Sequence, residues 1–126
     1  GLGTDIVEIA RIEQSLARSP ALVKRVLTSD EQAIYAGLAE NHPANAARYF
    51  AKRFAAKEAF AKALGTGFRS PVRFQNIIVG HDDLGKPILE FDKELHDYLK
   101  QKNILSQHIS ISDEKNIATA FVVLET

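Results

Sequence analysis

Arg53-Phe54-Ala55-Ala56-Lys57-Glu58-Ala59-Phe60-Ala61-Lys62 sets charges among alanines and phenylalanines at the middle of the chain. Alanine, lysine and glutamate are strong helix formers. The stretch therefore predicts the centre of a long helix that begins at Pro43, a residue suited to a first helical position, and ends at about Leu64, before Gly65. At about 100° per residue, Glu58 falls roughly 40° from Phe54 and roughly 40° from Lys62, on the border of an apolar stripe of Phe50, Phe54 and Ala61. Its carboxylate is expected half-buried, beside an ammonium. Glu58 and Lys62 also fit an ordinary helix-surface pair worth only a few tenths of a kcal/mol, so a solvated charged face is the competing reading.

Upstream, Gly1-Leu2-Gly3-Thr4-Asp5-Ile6-Val7-Glu8-Ile9 alternates as a strand, with Leu2, Thr4 and Ile6 on one face and Gly3, Asp5 and Val7 on the other. Asp5 is the unusual member. Aspartate is depleted in strand interiors, and the glycines before it let another backbone or a ligand come close. A functional carboxylate and an edge-strand charge are the two readings. From Ala10 the pattern becomes helical, with Ile12 and Leu16 apolar, and Ser19-Pro20 ends it. A short helix follows over Ala21 to Leu27. Thr28-Ser29-Asp30-Glu31 matches a capping box that opens a helix expected to stop near Gly37, and Glu40 to Asn45 reads as a loop.

Downstream, Gly65-Thr66-Gly67 is too short for a phosphate-binding fingerprint and fits a helix C-cap followed by a permissive turn. Phe74 to Val79 and Ile88 to Phe91 read as a hairpin about Asp82 to Pro87. Asp92 can cap a helix over Lys93 to Lys102. His108 to Ser112 and Ile117 to Leu124 form two further strands around an Asp113 to Asn116 turn. The expected architecture is α+β: a single domain over residues 1–126, with an antiparallel sheet packed against a long central helix.

Composition narrows the chemistry. The chain has no cysteine, which removes disulfides, thiolate nucleophiles and cysteine zinc sites. Its four histidines, His42, His81, His96 and His108, show no ligand-pair spacing. The formal net charge is zero, which argues against general binding to nucleic acid or to an anionic membrane. No apolar run approaches the roughly 20 residues needed to span a bilayer, and no leader is recognised, so a soluble, cytoplasmic protein is expected. The chain begins without methionine, leaving room for a longer first strand. Arg11, Arg18, Lys24 and Arg25 form one basic stretch, with Glu13 as the neighbouring acid.

Asp5, Glu58 and Lys62 together suit magnesium, which is commonly held by one or two carboxylates plus substrate phosphates, with cations close by to neutralise a phosphoryl transition state. No Gly-x-Ser-x-Gly elbow supports a hydrolase triad. On these residues alone, phosphoryl transfer, a magnesium-dependent phosphohydrolase or nuclease, and a trimeric module that docks acidic partners all stay open.

Gly3-Thr4-Asp5 within the opening strand and Lys57-Glu58-Ala59 with Lys62 in the middle are joined by Gly65-Thr66-Gly67, Gly85-Lys86-Pro87, Ser110-Ile111-Ser112 and Ala118-Thr119-Ala120-Phe121-Val122-Val123. In this order the chain resembles, over its whole length, the holo-acyl-carrier-protein synthases of the 4'-phosphopantetheinyl transferase family. The resemblance implies transfer of 4'-phosphopantetheine from coenzyme A to a serine of apo acyl carrier protein, releasing adenosine 3',5'-bisphosphate, in fatty acid biosynthesis. It implies Mg2+ on Asp5 and Glu58, with Glu58 also as the base and Lys62 on the coenzyme A phosphates. Arg53, Lys57, Gly65, Thr66 and Gly67 match the coenzyme-facing surface, with a structural ion pair as the alternative for Arg53. Arg11, Arg18 and Arg25 match the helix that docks the acidic carrier. A homotrimer with active sites between subunits is implied as well. Asp113 departs from the family, in which many members carry a histidine, and sets a negative charge where a phosphate is expected.

Overall fold

The computed structural model describes all residues, Gly1–Thr126. The central helix is present as expected: α4 spans Pro43–Leu64, with proline in its first turn and Gly65 closing it in the left-handed region at φ 83°. The Gly65 amide donates to the carbonyls of Ala61 and Lys62, which satisfies the last turn. Every other element packs on this helix or on something that does.

One sheet, in the order β1–β5–β4, comprises β1 (Leu2–Glu8), β5 (Ile117–Glu125) and β4 (Ser106–Asp113), all antiparallel neighbours. The register pairs Gly3 with Val122 and Asp5 with Ala120. The hairpin of β2 (Ile77–His81) and β3 (Pro87–Phe91) makes a separate two-stranded sheet. The strands thus form two sheets, where the sequence pattern gave no reason to divide them. Phe74 to Asn76, expected as the start of a strand, is a 3₁₀ turn, because Asn76 closes back on the Arg73 amide through its side chain at 3.2 Å.

Three helices cover the first half of α4: α1 (Ile9–Arg18), α2 (Leu22–Val26) and α3 (Ser29–Asn41). The Thr28–Glu31 capping box at the start of α3 is formed in both directions. Its end differs from expectation. The helix passes through Gly37, which projects into open space with nothing nearby, and the loop shrinks to His42, where α3 stops and α4 starts. A lone exposed glycine costs a helix only about 1 kcal/mol, too little to end one. On the other side α5 (Lys93–Gln101) is capped by Asp92, whose carboxylate accepts from the Leu95 amide at 3.0 Å.

Two apolar clusters share α4. Phe60, Ala56, Ala59 and Ala63 pack with Leu95, Ile77, Val122 and Leu124, while Phe50, Ala47 and Ala51 pack with Ile12, Leu16, Val26 and Leu27. Fully burying one such large side chain is worth roughly 1.5–3 kcal/mol, so the helix is held by its flanks along its length. The alanines are small for a reason visible in β1. A Cβ on Gly3 would lie 2.0 Å from the Ala59 carbonyl oxygen, so only glycine lets β1 rest directly on α4. No helix is long and apolar enough to cross a membrane.

Candidate functional site

The contact of β1 with α4 places three charged side chains together. Asp5 is on the inward face of β1, with Gly3 and Val7, and its side chain is 14% exposed. Lys62 reaches it from the end of α4, donating to Asp5 Oδ1 at 2.9 Å and to the Thr4 carbonyl at 3.1 Å. Asp5 Oδ2 is buried with no hydrogen-bond partner. Glu58, one helical turn before Lys62, is partly buried as its position on the apolar border predicts. The pairing differs from expectation: the Lys62 ammonium goes to Asp5.

Glu58 sits in an unfavourable field. Burial first, and then the charge of Asp5, push its carboxyl above the ordinary carboxylate range, while Lys62 pulls the other way. A buried, unpartnered carboxylate oxygen beside a second carboxylate that resists ionising is an arrangement that a cation relieves. The donor set is all oxygen, which suits a hard divalent ion. No group of three or more His, Asp or Glu side chains is placed to hold a metal ion by itself. The pair is therefore fitted to an ion that brings water or phosphate oxygens to complete its shell.

Lys57 corrects an expectation. The family resemblance implies that it faces the coenzyme, but its side chain has no exposure, and its ammonium donates to Glu31 Oε1 at 2.7 Å, to the Val26 carbonyl at 2.7 Å and to the Phe74 carbonyl at 3.1 Å. All three protons are used. Glu31 in turn accepts from the Thr28 amide and, through Oε2, from the Val79 amide, both at 2.9 Å. Desolvation holds the Lys57 ammonium below its usual range despite Glu31. Removing one partner of such a buried pair generally costs about 3–5 kcal/mol. The pair thus ties α2, α3, α4 and β2 at the residue next to Glu58, and it fixes how α4 presents that carboxylate.

Arg53 is also inside, 5% exposed. Its guanidinium lies 3.9 Å over the Tyr49 ring, and its Nε is buried without a partner. It makes none of the ion pairs of the fold, so the structural alternative takes the form of stacking. Gly65, Thr66 and Gly67 follow α4 as a turn with both glycines exposed and Thr66 half-buried, and Gly65 and Thr66 line a cavity of about 370 Å³ with Arg69, Ser70, Val72 and Tyr98. Arg11, Arg18 and Arg25 are exposed on α1 and α2, and Glu8, not only Glu13, stands near them, 3.7 Å from Arg11.

Two residues absent from the sequence-based site resolve the departure at Asp113. Arg48 Nη1 reaches Asp113 Oδ2 at 2.9 Å and Lys52 Nζ reaches Oδ1 at 3.5 Å. Arg48 also donates to the carbonyls of Glu114 and Lys115, which fastens the β4–β5 turn to α4. The negative charge expected to oppose a phosphate is neutralised within the chain. Nearby, burial and then Arg53 and Lys52 keep His81 below the usual histidine range. Arg48 and Lys52 lie four residues apart on one helix face, the available signal, but their partner is 65 residues away from Arg48 in sequence.

Comparison with known proteins places these features. The profile of the 4'-phosphopantetheinyl transferase superfamily matches residues 1–122. A holo-[acyl-carrier-protein] synthase of Nitrosomonas eutropha is 52% identical over 126 residues, covering 99% of this chain and 97% of the relative. The crystal structure of holo-[acyl-carrier-protein] synthase from Neisseria meningitidis superposes with a TM-score of 0.90 at 44% identity, over 100% of this chain and 98% of that one. A holo-(acyl-carrier-protein) synthase from Bacillus anthracis, solved in complex with CoA (3',5'-ADP), gives 0.81 at 40% identity, over 100% and 96%.

The raised Glu58 carboxyl has a sign that can be checked in metal-free protein. A carboxyl whose folded pKa is raised binds more protons folded than unfolded, so its ionisation lowers stability as pH rises through the folded value. Glu58→Gln should therefore melt higher than the parent at pH 8 in chelator, and the gap should close as pH falls below about 4.3, the ordinary glutamate value. A lower melting temperature for Glu58→Gln at pH 8 would mean that the carboxylate is not strained.

Proposed function

The chain belongs to the 4'-phosphopantetheinyl transferase superfamily, and from that premise we propose that it transfers 4'-phosphopantetheine from coenzyme A to a serine hydroxyl of apo acyl carrier protein. The observation that carries this reading is the meeting of Asp5, Glu58 and Lys62 where β1 rests on α4, in a chain whose relatives bear the name of that activity and one of which is solved with CoA (3',5'-ADP). The product serves fatty acid biosynthesis in the cytoplasm. Residues 1–126 act as one domain, a reading supported by the two apolar clusters that share α4.

In this reaction Glu58 accepts the serine proton, directly or through water, and the serine oxygen forms a bond to the phosphorus that carries the pantetheine arm. The bond from that phosphorus to the bridging pyrophosphate oxygen breaks, and its electron pair leaves on adenosine 3',5'-bisphosphate. Lys62 offsets the charge gathering on that leaving group. Asp5 and Glu58 are the residues that would hold Mg2+, which when bound supplies Lewis-acid polarisation of the phosphate oxygens. Burial and then the charge of Asp5 raise the Glu58 carboxyl above the ordinary range, toward the operating pH at which a general base works best. Gly65, Thr66 and the neighbouring cavity with Arg69 are the surface offered to the coenzyme.

The acidic carrier docks on Arg11, Arg18 and Arg25, whose charges steer encounter and set orientation. The assembly is a homotrimer with its sites between subunits. Support comes from the outer face of the three-stranded sheet, where Leu2, Ile6 and Phe121 are 62%, 65% and 46% exposed. Leu2 and Ile6 flank Thr4, the register partner of Phe121, so the three form one patch. Contiguous exposed apolar surface marks an interaction site.

Incubation of an apo acyl carrier protein with this protein, coenzyme A and Mg2+ should raise the carrier's mass by one phosphopantetheine, and Glu58→Ala should abolish the gain. Nucleotide release without a change in carrier mass would replace the reading with hydrolysis. Arg18→Glu should slow transfer several-fold at low salt and leave coenzyme A binding unchanged; carrier kinetics identical to the parent across a salt series would remove the docking role. Sedimentation should give a trimer, and Ile6→Glu a monomer with little activity. A fully active monomer would rule out shared sites.

A further inference from the structure

Lys62 holds a position that a phosphate-neutralising residue does not require. Its ammonium is bound to Asp5 Oδ1 at 2.9 Å and to the Thr4 carbonyl at 3.1 Å, two oxygens of β1. Both are oxygens of the kind a hard cation takes. The two partners differ in freedom: the Lys62 side chain is 53% exposed and the Asp5 side chain 14%. The carboxylate is fixed by the strand, whereas the ammonium rides on a flexible four-carbon stem with solvent on one side. Asp5 Oδ2, buried and unpartnered, is the oxygen that Lys62 leaves unanswered.

We infer that Lys62 is the resident cation of the unloaded site, neutralising Asp5 until a divalent ion takes the Asp5–Glu58 pair and releases the ammonium to the substrate phosphates. This rests on the reading of Asp5 and Glu58 as the carboxylates for that ion. Lys62 and the ion compete for one carboxylate in the absence of coenzyme, and they act together once its phosphates arrive, because the released ammonium gains a new anionic partner. By linkage the ion and coenzyme A then bind with positive cooperativity, each raising the affinity for the other by the same factor. An exposed lysine–carboxylate pair is weak enough to be broken by such an ion, and the lysine need only rotate its stem. Lys62 is thus a positioning residue for the empty site as well as a substrate contact for the filled one.

The test is direct binding of Mn2+ to the full chain without coenzyme, read from the paramagnetic signal of free Mn2+. Manganese is chosen because it shares magnesium's preference for oxygen ligands. Lys62→Met keeps the unbranched stem of the side chain and removes its charged end. It should bind Mn2+ about fivefold more tightly than the parent, the upper range for an exposed ion pair, and Asp5→Asn should abolish binding. Equal or weaker binding by Lys62→Met, with Asp5→Asn still abolishing it, overturns the competition and leaves the ion site standing. Undiminished binding by Asp5→Asn overturns the ion site and the competition together, as does the absence of binding in both parent and Lys62→Met. Thermal melting of the three proteins in chelator verifies that each is folded before titration.

Discussion

The close approach of β1 to α4 governs the placement of everything else. A strand lying across a helix normally keeps a side chain's width between the backbones, but Gly3 gives up its Cβ and faces the carbonyl of Ala59. Asp5, two residues on and therefore on the same face of the strand, is carried into the same seam. Glu58 and Lys62 bracket that seam from the helix, so a short strand carboxylate can meet a helix ammonium without either chain bending. Antiparallel pairing with β5 from Leu2↔Val123 to Glu8↔Ile117 fixes the register along the whole strand, so Asp5 cannot slip out of place.

Neutralisation is uneven around that seam. Where the fold buries Lys57 for structure, it completes the pairing with all three protons used, and it gives the exposed Asp113 two cations. At Asp5 and Glu58 it does not. One oxygen is orphaned, and a second carboxyl is raised by burial and by its neighbour. A protein able to satisfy Lys57 so fully one residue away from Glu58 has the means to satisfy Glu58 too. The unfinished pairing is the observation on which the proposed ion site at Asp5 and Glu58 rests.

The sequence made some of this visible and concealed the rest for a physical reason. Capping and periodicity are local, so the Thr28–Glu31 box, the Asp92 cap, the Gly65 terminus and the inward face of β1 were legible from neighbouring residues. Asp5 stood out as a charge inside a strand, where aspartate is depleted, and Glu58 as a charge on the border of an apolar stripe. Lys57 did not, because its spacing is that of any surface lysine and its burial depends on Glu31, 26 residues earlier, and on the Val26 and Phe74 carbonyls. Arg53 stacks on Tyr49, four residues earlier on its own helix, but its burial comes from the elements packed around α4. Local pattern supplies elements, and the partners of long charged side chains are decided by packing between elements.

The separation of roles along α4 follows from these placements. Residues on successive turns of one rigid helix keep fixed spacing, about 1.5 Å of rise per residue, so a change at Lys57 alters the angle at which Glu58 and Lys62 meet β1. Buried Phe50 and the stacked Phe54, Phe74 and Phe68 extend this rigidity into the segment beyond Gly65, since Phe54 contacts Phe74 at 5.9 Å and Phe74 contacts Phe68 at 4.0 Å between ring centres. The turn of Gly65 and Thr66 is thereby fixed at both ends, by the helix cap and by the aromatic stack. The free element within this frame is the Lys62 side chain. In the proposed exchange one cation moves while its carboxylates stay fixed, so partners change without movement of the backbone.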